Sequence, residues 1–85
     1  MNIIELDGRE LNSREEAYDY LYAAFDFPSW TGRNLDGFYD ALTDIGQPVL
    51  VRIKDSDTVC GYGRKILDTI SDASCENPNL TIETL

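Results

Sequence analysis

The run Val49-Leu50-Val51-Arg52-Ile53 constrains this chain most. It is short, β-branched and almost wholly apolar, the composition of a central strand. Helical spacing flanks it on both sides. Upstream, Leu35, Phe38 and Leu42 recur at i, i+3 and i+7; downstream, Ile66, Leu67, Ile70 and Ala73 lie at helical intervals. A strand between two helices joins its sheet through crossovers rather than hairpins, and crossovers make parallel pairs.

The remaining segments extend this pattern. Asn2 to Leu6 reads as a strand stopped by Asp7-Gly8. Ser13 with Glu16 reads as a capping box that opens a first helix. Its buried face is expected to carry Ala17, Tyr18, Leu21, Tyr22, Ala24 and Phe25, and Pro28 is expected to stop it. Asn34 can cap a second helix reaching Thr43 or Asp44, ended by Gly46 and Pro48. Asp55 to Gly63 is a polar connection, and a third helix spans Arg64 to about Ser74. Asn77-Pro78-Asn79 breaks it, and Leu80 to Leu85 alternates as a last strand. The order predicts an α/β fold, a small parallel three-stranded sheet with packed helices, as one domain over residues 1–85. An antiparallel start, with a second strand at Arg9 to Leu11, is the structural alternative.

Charge limits the function. There are 16 acidic and 7 basic residues among 85, a net charge of −9. Such a chain is repelled by nucleic acid and by anionic membranes, so direct binding to either is not expected. Histidine is absent, which removes the usual general base and zinc partner. No apolar run approaches the ~20 residues of a membrane span, and the start lacks a secretory pattern. Cys60 and Cys75 have no metal-ligand spacing and read as reduced thiols of a cytoplasmic protein, although one disulfide is compatible with the sequence. No metal or cofactor is expected.

The acidic excess is patterned. Asp36, Asp40 and Asp44 are spaced by four on the second helix, and Asp68, Asp72 and Glu76 repeat that spacing on the third. Like charges four apart destabilise a helix by roughly 0.2–0.5 kcal/mol per pair. Both stripes lie in stretches without a basic residue, which points to a partner as the source of positive charge. A merely solvated face is the plainer reading of either stripe alone. Trp30, in a loop beside Gly32, adds an aromatic anchor, and an anchor ring next to carboxylates is the composition of a protein–protein hot spot.

The stretch Phe27-Pro28-Ser29-Trp30-Thr31-Gly32-Arg33-Asn34-Leu35-Asp36-Gly37-Phe38-Tyr39-Asp40-Ala41-Leu42 resembles the barstar family, intracellular inhibitors of barnase-type ribonucleases. The family pattern runs roughly L-P-x-Y-x-G-x-N-L-D-A-L-W-D-x-L. The resemblance implies a non-enzymatic, cytoplasmic protein, monomeric when unbound, whose second helix and preceding loop cover the active site of a basic, secreted ribonuclease. It places Trp30, Gly32, Asn34, Asp36, Tyr39, Asp40, Asp44 and Asp72 on the partner-binding surface. Asp40 would stand in for a substrate phosphate, and Asp36 would add charge at the same mouth. Trp30 would pack on the catalytic histidine, and Asp72 would meet an enzyme arginine. Thr31 stands where the family has a second aromatic, and Arg33 where it has an acid. The connection from Asp55 to Arg64 is a few residues shorter than in the family, which implies that one minor helix is lost or reduced.

Two other readings start from the same residues. One is an acidic interaction module with a different basic partner. The other uses Asp36 and Asp40 as an acid–base pair or as oxygen ligands for a hard cation. The second of these lacks an Asp-rich loop of the usual pattern, since Thr58 follows Asp55-Ser56-Asp57.

Overall fold

A computed structural model describes residues 2–28 and 30–84. The elements are β1 (Asn2–Asp7), α1 (Arg14–Phe25), α2 (Leu35–Thr43), β2 (Val49–Lys54), α3 (Tyr62–Glu76) and β3 (Leu80–Thr84). The three strands form one parallel sheet in the order β1-β2-β3. The expected α/β architecture is therefore observed, with Val49–Lys54 as the central strand. The antiparallel alternative is not: Gly8–Glu10 forms a turn of 3₁₀ helix instead of pairing. A second such turn, Ser56–Thr58, occupies the connection after β2.

The helices cover one sheet face. Val49, Val51 and Ile53 are buried, while Leu50 and Arg52 are half-buried and Lys54 is exposed. A parallel sheet usually needs cover on both faces. Here charge substitutes for a second layer. Glu5, Arg52 and Glu83 lie side by side across the strands. Arg52 Nε donates to Glu83 at 2.8 Å, and Arg52 and Lys54 approach Glu5 at 3.9 and 3.3 Å.

The core is built around Phe38 and Tyr18, both fully buried, with Leu6, Leu11, Leu21, Leu42, Val51, Ile66 and Ile70. Phe38 is ringed by aromatic side chains. Tyr22, Phe25, Phe27 and Tyr18 lie 6.1, 6.1, 6.3 and 6.5 Å from it between ring centroids. Such edge-on and tilted pairs add about 0.5–1.5 kcal/mol each beyond burial. Gly63 lets the start of α3 approach the chain after β1, since a Cβ there would lie 2.9 Å from the Leu11 carbonyl oxygen.

Several local expectations differ from the structure. Ser13 is the N-cap of α1, but its side chain makes no capping hydrogen bond, so the capping box does not form. Tertiary burial of Ala17, Tyr18 and Leu21 holds the helix without it. Ala24 is exposed rather than on the core face. Helix α1 ends before Pro28 takes effect. Asp26 adopts a left-handed conformation, its N–H reaches Ala23 O at 3.3 Å, and Phe27 N–H reaches Tyr22 O at 3.0 Å. That is a Schellman end, with Tyr22 and Phe27 rings in contact at 5.8 Å. Helix α3 begins at Tyr62, two residues ahead of the expected Arg64, and runs to Glu76.

Asn77 ties α3 to α2. It is buried, and its Nδ2 donates to the carbonyls of Leu42 and Ile45 at 3.0 and 2.9 Å, adding to the Ile45 N–H that Leu42 O already accepts at the end of α2. Its Oδ1 accepts from Asn79 N–H at 3.0 Å. Asn77→Ala strands these groups, so we expect a loss of about 2–3 kcal/mol and a fall in Tm on the order of 10 °C, measured by thermal unfolding.

Candidate functional interface

The candidate surface is assembled from α2, α3 and the loop before α2. Asn34 ends that loop. Its Oδ1 accepts from Gly37 N–H at 2.7 Å, so its carbonyl-side oxygen serves the helix cap. Gly37 permits close packing of loop on helix, since a Cβ there would lie 3.0 Å from Gly32 O. Thr31 N–H donates to Pro28 O at 3.0 Å, making a tight turn at the tip. Trp30 sits at this tip and is 84% exposed. It is not a core residue folded back on the domain.

Beside Trp30 lies an open groove of about 470 Å³. Phe27, Ala41 and Ile45 contribute apolar lining, and Asp40 and Asp44 contribute carboxylates. Gly32 also lines it. Asp36 is exposed in the first turn of α2, where the helix dipole favours it. Asp40 and Asp44 are exposed toward the other end, where the dipole opposes them. Neither α2 nor α3 has a basic residue in its last turn.

Tyr39 links the two helices. It is half-buried, and its phenol is pushed above the ordinary value first by burial and then by the carboxylates of Glu76, Asp72 and Asp40. The stripe on α3 therefore adjoins the stripe on α2. Trp30, Gly32, Asp40 and Asp44 line the groove, Tyr39 lies near Asp72 on α3, Asp36 stands one turn before Asp40 on α2, and Asn34 caps that helix.

Among the described residues, none of these carboxylates is neutralised internally. Among the described residues, no arginine or lysine comes within ion-pair distance of Asp36, Asp40, Asp44, Asp72 or Glu76. Arg9 pairs with Asp7 and Asp55, Arg33 with Asp19 and Glu15, and Arg52 and Lys54 with the sheet face. Arg14 lies over the Tyr62 ring, 5.8 Å from its centroid. Arg64 and Lys65 occupy the first turns of α3, Lys65 roughly 16 Å along the helix from Glu76.

Among the described residues, no group of three or more His, Cys, Asp or Glu side chains could hold a metal, and no helix is long and apolar enough to cross a membrane. Cys60 and Cys75 are both free and exposed. Two residues were not singled out for the interface by sequence. Glu76 was visible only as part of the α3 stripe, and Tyr22, whose hydroxyl donates to Gly32 O beneath the loop, read as an ordinary core-face residue.

The Tyr39 phenol gives a direct measure of this field. Raised above its ordinary value first by burial and then by these carboxylates, it favours the protonated form in the folded state. Its contribution to stability is full below the unfolded pKa and is lost as pH climbs through the folded one. By ¹³C NMR titration, Asp72→Asn is expected to move the Tyr39 midpoint back toward its ordinary value, with added salt acting in the same direction.

Comparison with known proteins agrees with this geometry. The family model described as Barstar (barnase inhibitor) matches residues 1–79. The chain is also 36% identical, over an alignment of 81 residues covering 89% of each protein, to a Bacillus subtilis (strain 168) protein named "Putative ribonuclease inhibitor YrdF". That family consists of inhibitors rather than enzymes. With its parallel three-stranded sheet, its Asn34-capped acidic helix and a family match over nearly its whole length, this chain belongs to the barstar family.

Proposed function

We propose that this protein inhibits a basic, barnase-type ribonuclease by laying α2 and the Trp30 loop over the enzyme's active site. The observation that carries this reading is the bare carboxylate face. Asp36, Asp40 and Asp44 point to solvent while nearby Arg33 is engaged on α1. A nuclease active site is cationic because it binds phosphate. It supplies the charge that this surface lacks.

The roles follow from position. Asp40 lies at the groove between α2 and Trp30, where one carboxylate can take the place of a substrate phosphate among enzyme cations. Asp36 and Asp44 flank it along the helix. Trp30 supplies an apolar ring to stack on a flat catalytic group, and Gly32 leaves room for the capping Asn34 side chain, which a Cβ there would approach to 2.7 Å. Tyr39 and Asp72 extend contact onto α3, with Asp72 facing an enzyme arginine. Asn34 serves this surface by holding the first turn of α2. The net charge of −9 accelerates encounter with a cationic partner. Blocking a ribonuclease this way protects the cell that makes it, which fits a cytoplasmic protein that is monomeric until bound.

Inhibition assays with barnase-type ribonucleases at low and high salt test the proposal. Asp40→Ala and Trp30→Ala are each expected to weaken inhibition by at least about 30-fold, the size of a hot-spot loss of ~2 kcal/mol. Tm stays level, or rises slightly for Asp40→Ala as repulsion along α2 is relieved. Association should slow as salt increases. Undiminished inhibition by Asp40→Ala overturns the proposal. Salt-dependent binding to a different basic protein, with no inhibition of any such ribonuclease, would favour an acidic module with another partner.

A further inference from the structure

We propose that Tyr22 is a positioning residue which, with Arg33, fixes the loop around Trp30 in its docking shape before a partner arrives. The inference rests on the ribonuclease-inhibitor reading for its purpose but on separate contacts for its geometry.

Tyr22 holds the loop at both ends. At the start, its backbone carbonyl accepts from Phe27 N–H at 3.0 Å, and its ring meets Phe27 at 5.8 Å. Near the far end, its hydroxyl donates to Gly32 O. As a phenol it is protonated at neutral pH and can donate, and partial burial moves it further in that direction. The next residue, Arg33, turns back onto α1, donating to Asp19 and lying 3.8 Å from Glu15. Both stems are therefore fastened to α1, while the tip carries Trp30 outward.

Such fastening has a physical purpose. A tryptophan that is 84% exposed beside an apolar-lined groove gains hydrophobic free energy by folding into it. A loose loop would close the groove with its own Trp30. Tying Gly32 and Arg33 to α1 opposes that collapse and keeps Trp30 and the groove presented. Binding then does not bear the ordering cost of the loop.

Trp30 is the only tryptophan in the chain, so its fluorescence reports the loop alone. Tyr22→Phe deletes the hydroxyl and keeps the ring; Asp19→Asn weakens the Arg33 tie at an exposed site. In the free protein, each is expected to speed hydrogen exchange at the Thr31 amide about three- to tenfold. Exchange at Val51 in β2 should not change, and Trp30 emission should shift to the blue as the ring folds inward. Dissociation from a barnase-type ribonuclease should quicken by a similar factor. Unchanged Thr31 exchange and Trp30 emission in both variants would overturn the proposal. So would acceleration at Val51 in step with Thr31, which would make Tyr22 a general stabiliser. If the wild-type chain inhibits no ribonuclease while the loop responds as expected, the loop clamp stands and the inhibitor reading falls.

Discussion

Phe38 is the fixed point of this molecule. It lies fully buried in the middle of α2, with rings from α1 and from the start of the loop packed around it. Because side chains three and four apart share one helix face, burying Phe38 and Leu42 settles the rotation of α2 about its axis. Asp36, Asp40 and Asp44 then have to face water. The acidic stripe is exposed because the aromatic cluster decides which side of the helix is inside.

The second constraint is where the positive charge goes. Seven basic residues serve 16 acidic ones, and the fold spends them away from α2. Arg52 and Lys54 cover the open face of the sheet, Arg9 stays near the end of β1, and Arg33 crosses to α1. Among the described residues, none of them comes within ion-pair distance of the α2–α3 carboxylates, although Lys65 shares a helix face with Asp72 seven residues on. Arg33 is the telling case, because by sequence it adjoins the acidic helix. In space its guanidinium joins Asp19 and Glu15, so it braces the loop without diluting the carboxylate surface.

Asn77 and Tyr39 join the two acidic helices into one surface. Asn77 places the end of α3 against the end of α2 by satisfying its carbonyls. Tyr39 fills the seam, close enough to Asp72 and Glu76 for both to raise its pKa. Both helices end in acid against their own dipoles, an arrangement that weakens an isolated helix. Tertiary packing carries that cost and leaves a carboxylate surface on α2 and α3.

The chain alone determined the order of elements, the parallel sheet with Val49–Lys54 at its centre, the Asn34 cap and the membership of Asp36, Asp40 and Asp44 in one stripe. These are local: composition, capping chemistry and a period of 3.6 act within a few residues. It was less reliable where a long-range contact outweighs a local preference. The Ser13–Glu16 box is absent because core packing holds α1, and the Schellman end at Asp26 precedes the proline that seemed to set the boundary. Only the tertiary structure decided that Trp30 stands in solvent, that the α3 stripe adjoins α2 through Tyr39, and that Tyr22 and Arg33 tie the loop to α1. Each depends on residues ten or more positions apart meeting in space, and no pattern along the chain encodes such a meeting until the core has formed.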